Sequence, residues 1–129
     1  MGETETLLVD ARAQVKAALE AMDTQTSFAL QADFAPTPPR GNTVVWGEWA
    51  NVTTRCPVVD RLTFQVDIYA ENRTARQELS QAVNRALTDM GLKRIYASAD
   101  LYEDVGQGCY CKRFRFARKV DKRSMRLID

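Results

Sequence analysis

The side chains of this 129-residue chain that could carry chemistry are three cysteines, seventeen carboxylates and a concentration of cations near the C-terminus; histidine is absent. Without imidazole, the commonest general base and the commonest nitrogen ligand for metals are both missing, which weakens hydrolytic readings. Cys109 and Cys111 are spaced as neighbours on one face of a strand and lack the C-x-x-C pairing of a zinc knuckle. A disulfide between them would be strained, so with Cys56 they read as reduced thiols that folding does not require. Gly106-Gln107-Gly108 has no helix signature after it and lacks the dipole a phosphate cradle needs, so it reads as a turn. No partner fixes a pair of carboxylates into a recognisable mechanism. The expectation is a protein that is not an enzyme, with no catalytic residues, no metal and no cofactor. A pocket converging two carboxylates would revive the enzymatic alternative.

The cations are Lys112, Arg113, Arg115, Arg118, Lys119, Lys122, Arg123 and Arg126, with only Asp121 among them. Over the whole chain Lys and Arg number 18 against 17 for Asp and Glu, so any electrostatic role must be local. A solvated strand face, an acidic protein partner and a nucleic acid backbone all fit such a stretch. No apolar run reaches the roughly 20 residues that cross a bilayer, and no signal core follows the N-terminus. Asn51-Val52-Thr53 and Asn72-Arg73-Thr74 fit glycosylation sequons but read as a strand end and a helix cap.

The elements that must position these groups are organised around residues 59–90. Leu62, Phe64, Val66 and Ile68 alternate with Thr63, Gln65, Asp67 and Tyr69, the pattern of a strand with one buried side. Thr74 is placed to cap a following helix with Gln77 reaching back, and Leu79, Val83, Ala86, Leu87 and Met90 recur on one face of it. Gly91 can close that helix in a left-handed conformation. An earlier helix is expected from about Thr6 to Met22, with an apolar stripe that includes Leu7, Ala11, Val15 and Leu19. Phe28, Leu30, Ala32 and Phe34 alternate as a strand, a Pro-rich loop follows over 35–42, and the β-branched and aromatic segment 43–52 is a second strand. The latter pairs most simply with the organising strand as an antiparallel neighbour. Segments 93–103 and 110–120 flank the glycine turn as a final hairpin. The fold class is therefore α+β: a single domain over 1–129, with a mainly antiparallel or mixed sheet and two helices packed on one face. Residues 1–5 and about 121–129 read as flexible ends. The other sheet face, with Thr63, Gln65, Asp67, Tyr69, Arg113 and Arg115, is expected to be open to water or to a partner, and Gln65→Ala to be near neutral in the isolated subunit.

Residues 61–70 (RLTFQVDIYA), the helix end 86–94 (ALTDMGLKR), Asp100-Leu101-Tyr102-Glu103 and the strand 110–116 (YCKRFRF) follow one another in an order that resembles the tail terminator and head-to-tail joining proteins of long-tailed bacteriophages. The resemblance covers 61–116, nearly half of the chain, and rests on order and spacing. It implies a small α+β subunit that assembles into a ring, a hexamer in the family, capping the tail tube and connecting it to the neck. The implied partners are further copies of the chain, the tube protein and a neck or head-completion protein, with DNA passing through the ring without sequence-specific binding and no membrane involved. The implied location is the virion, and the host cytoplasm during assembly. The residues expected at subunit or partner interfaces are Trp46, Glu48, Trp49, Asp67, Arg113 and Arg115, with the two arginines meeting carboxylates such as Asp67 or Glu48 of an adjacent copy. The alternative is an α+β nucleic-acid-binding module that uses the basic C-terminal strand.

Overall fold

A computed structural model describes residues 11–34, 41–98, 101–103, 109–124 and 126–128. The described elements are α1 (Arg12–Glu20), β1 (Ala29–Ala32), β2 (Thr43–Thr53), β3 (Val59–Ala70), α2 (Arg73–Asp89), β4 (Lys93–Ala97), β5 (Leu101–Glu103), β6 (Cys109–Asp121) and β7 (Arg126–Ile128). They form one mixed sheet in the order β1-β2-β3-β6-β4, with β5 and β7 also paired to β6. β1 runs parallel to β2, and every other pairing is antiparallel. This is the single-domain α+β architecture expected from the sequence.

The alternation in β3 sets the layers. Leu62, Phe64, Val66 and Ile68 are fully buried and share one core with Val15 and Leu19 of α1 and Leu79, Val83 and Leu87 of α2. Val44 and Trp46 of β2 and Phe114 and Phe116 of β6 complete that core, so both helices cover the same sheet face. The start of α2 differs from the expectation. Asn72, in extended conformation, is the N-cap, and its Oδ1 accepts from the Ala75 amide at 2.8 Å. Asn is at least as good a cap as Thr, so the chain enters the helix earlier than the Thr74 reading has it. The other end closes as expected. Gly91 has φ +96°, its amide donates to Thr88, and the Leu92 amide donates to the Leu87 carbonyl at 3.0 Å. Leu92 and Leu87 are both buried, the apolar contact that accompanies this closure.

Two further differences follow from local geometry. β1 stops at Ala32 because Asp33 adopts φ +65°, and Phe34 leaves the strand to lie over Gly47, where an added Cβ would stand 2.8 Å from its ring. After β6, where a loose tail is expected, the Lys122 amide donates to Val58 and Arg126–Ile128 pairs back onto Lys119–Asp121. For the first helix, the part expected before residue 11 lies outside the described residues, as does the glycine turn over 104–108.

The connection from α1 to β1 is tied down by one carboxylate. Glu78 on α2 accepts from the Thr24 hydroxyl, the Gln25 and Thr26 amides and the Thr26 hydroxyl, at 2.7 to 2.9 Å. The Thr26 and Thr24 hydroxyls, in that order, hold its carboxyl below the ordinary value of 4.5. A depressed carboxyl pKa stabilises the fold above the unfolded value, and that stabilisation is lost as pH falls through the folded value. Wild type should therefore lose melting temperature more steeply than Glu78→Gln as pH is lowered below 4.5. Parallel curves would remove Glu78 as the cause.

Candidate interaction surface

The sheet face turned away from the helices is layered, and its polar residues are not open to water. Thr63, Gln65 and Asp67 are 4%, 3% and 2% exposed, and Tyr69 is buried with Val45 and Cys111 in a small apolar cluster. Cross-strand register explains this. Asp67 lies opposite Arg113 and Gln65 opposite Arg115, so the arginines fold over the shorter side chains. Arg113 Nε and Nη2 donate to the two oxygens of Asp67 at 2.9 and 3.2 Å. The hydrogen bond to Asp67 raises the Arg113 pKa further above its ordinary value, and the guanidinium stays charged. Arg115 Nε donates to Gln65 Oε1 at 3.0 Å.

Arg115 then lies between two aromatic rings. Its guanidinium carbon is 4.2 Å from the centroid of Trp49 and 5.2 Å from that of Tyr96. A bulge on each flank of the sheet delivers these rings. In β2 the register shifts between Glu48 and Ala50, leaving Trp49 as the extra residue, and in β4 it shifts between Arg94 and Tyr96, leaving Ile95 extra. The first shift also places Asn51 opposite Leu62 and turns Val52 outward, opposite Arg61. The described large apolar residues that stay exposed, namely Phe34 over Gly47, Trp49, Val52, Ile95 and Tyr96, all lie on or beside this face.

The structure separates the expected interface residues. Trp46 is core, 2% exposed and capped by Arg12 at 5.1 Å, because it pairs with Val66 on the helix side. Asp67 is paired within its own subunit, and the expectation that it meets an arginine of a neighbour is corrected accordingly. Glu48 and Trp49 are exposed, and Arg113 and Arg115 are half-buried. Tyr96, Ile95 and Val52 were missed, since a bulge leaves no mark in local alternation. Pairing from distant strands brings them to the face.

The basic C-terminal stretch is dispersed by strand alternation. Lys112 sits over Phe114 on the helix side, and Arg118 donates to the Met90 carbonyl at the end of α2. Lys122 is buried against Asp60 at 3.4 Å, and Arg123 pairs with Asp121. A continuous basic track along β6 is not formed. Cys56 is exposed and Cys111 fully buried, and no group of three potential metal ligands occurs among the described residues. No described helix is long and apolar enough to cross a membrane. Comparison with protein-family models gives no match, and comparison with curated proteins gives no significant match.

Proposed function

We propose that the chain is a structural subunit that assembles with copies of itself through the sheet face opposite the helices, forming a ring of the kind its sequence resembles: a tail terminator or head-to-tail joining component of a long-tailed bacteriophage. The observation that carries this reading is the exposed Trp49-Arg115-Tyr96 stack, rimmed by Val52 and Ile95. Trp, Tyr and Arg dominate the energetics of protein interfaces, and an isolated monomer has no packing reason to keep five large apolar groups on one face. Gln65 and the bulges hold the stack in place before a partner arrives, which lowers the ordering cost of association. A head-to-tail contact between identical subunits closes into a ring when its rotation closes, so one pair of complementary patches suffices. Tube and neck proteins would then meet the rims of that ring.

Native mass spectrometry across concentrations, with and without tube subunits, tests the reading. Wild type is expected as a closed oligomer, with hexamer the expected state. Trp49→Ala combined with Arg115→Glu is expected as a folded monomer, since truncating interface anchors typically costs about 2 kcal/mol or more each. A wild-type chain that stays monomeric in every condition would overturn the assignment. The nucleic-acid alternative is disfavoured for β6 as a whole by the internal pairing of Arg113, Arg118 and Lys122. Steeply salt-dependent DNA binding that is lost when Arg113 and Arg115 are reversed would restore it.

A further inference from the structure

At the sheet edge where β4 begins, an open cleft of about 340 Å³ is lined by Arg61, Gly91, Lys93, Ile95, Ala117, Arg118 and Lys119. Four of these are cations and none is acidic. Among the described residues, the side chains of Arg61, Lys93 and Lys119 have no hydrogen bond, ion pair or ring contact, in contrast to the other basic residues of β6 described above. Three cations facing one concavity with no carboxylate among its described lining repel one another, an arrangement that favours the entry of something negative.

The fourth cation is built in. Arg118 Nη1 donates to the Met90 carbonyl at 2.9 Å, at the negative end of the α2 dipole. Gly91 makes that placement possible, because a Cβ there would overlap the Arg118 guanidinium. A glycine required for closing the helix thus also opens the wall of the cleft. Ile95, 48% exposed and two residues after Lys93 on the same strand face, supplies an apolar surface beside the charges, and Ala117 keeps the floor shallow.

From this arrangement we infer that the cleft binds a small organic phosphate, with Arg61, Lys93 and Lys119 meeting the phosphate oxygens and Ile95 taking the organic group. A carboxylate brings one negative charge to a site holding several cations. A phosphate monoester or diphosphate brings about two or more at neutral pH, with three oxygens per terminal group for the arginine fork and the lysine point charges. The cleft volume is at the small end of the range of ligand sites, which suits a mononucleotide-sized molecule better than a polymer. This inference does not depend on ring formation.

Isothermal titration of the full chain at low salt with pyrophosphate, a nucleoside diphosphate, sodium sulfate and a single-stranded oligonucleotide tests it. Pyrophosphate and the nucleoside diphosphate should bind at one site per subunit, the latter more tightly through Ile95. Lys93→Glu and Arg61→Glu should each weaken binding at least about tenfold, the loss of one charge-assisted contact. Both positions are exposed, so the fold is kept, and Lys16→Glu on α1 should leave affinity unchanged. Three results would overturn the inference: no saturable phosphate binding, sulfate binding as tightly as pyrophosphate, or tight oligonucleotide binding with none for the nucleoside diphosphate. Repeating the titration on the Trp49→Ala, Arg115→Glu variant separates the two proposals. Phosphate binding should persist there even though assembly is lost.

Discussion

Phe64→Ala and Leu87→Ala should each lower the free energy of unfolding by about 2–5 kcal/mol, the range for emptying a well-packed core site. Both side chains are fully buried in the one core that joins β3 to α2. Phe64 also lies opposite Phe116 on β6, so removing its ring leaves a void between sheet and helix that neither rigid element can move to fill. Urea titration reads the effect directly, as a shift in midpoint at constant slope. Gln65→Ala provides the comparison. Its side chain is 3% exposed and accepts from Arg115, so its loss should cost about 1 kcal/mol, where alternation alone suggests a neutral change. Equal losses at all three positions would contradict the assigned faces.

Lys122→Ala should cost about 3–5 kcal/mol, comparable to a core truncation although the residue is a lysine near the C-terminus. Its side chain is 2% exposed, and its ammonium stands 3.4 Å from Asp60 Oδ1, itself on a side chain 4% exposed. Removing one partner leaves the other as an uncompensated charge in a low-dielectric setting, and that penalty exceeds the loss of the pair itself. The contact is electrostatic: Asp60 Oδ1 makes no hydrogen bond of good geometry. The double substitution Asp60→Leu with Lys122→Met should recover part of the loss, because replacing both charges by apolar side chains of similar size removes the desolvation cost of each. A double-mutant cycle by thermal and urea unfolding measures this. If Lys122→Ala shifts stability by less than about 1 kcal/mol, as exposed pairs do, the pair is not buried in solution.

Two periodicities made the frame of this protein legible before any coordinates. Leu62, Phe64, Val66 and Ile68 at period two, and Leu79, Val83 and Leu87 at helical spacing, each point to one buried face, and burial of large apolar groups outweighs every competing local preference. Gly91 was readable for the same reason, since the left-handed closure of a helix favours glycine through its own backbone. The cap of α2 was not, because Asn72 and Thr74 are both competent caps two residues apart and only the packed helix chooses between them.

Tertiary structure alone decided the surface. Asp67 lies 46 residues before Arg113 and Gln65 lies 50 before Arg115, and what each arginine covers depends on a register that no local window contains. Trp46 and Val52, six residues apart in one strand, would share a face by alternation, but the bulge between Glu48 and Ala50 leaves Trp46 in the core and turns Val52 outward, opposite Arg61. The basic stretch likewise looks like one feature along the chain. In three dimensions strand alternation sends Lys112 and Arg118 to the helix side and Arg113, Arg115 and Lys119 to the other, where pairing or its absence with distant carboxylates determines which charges remain for a ligand.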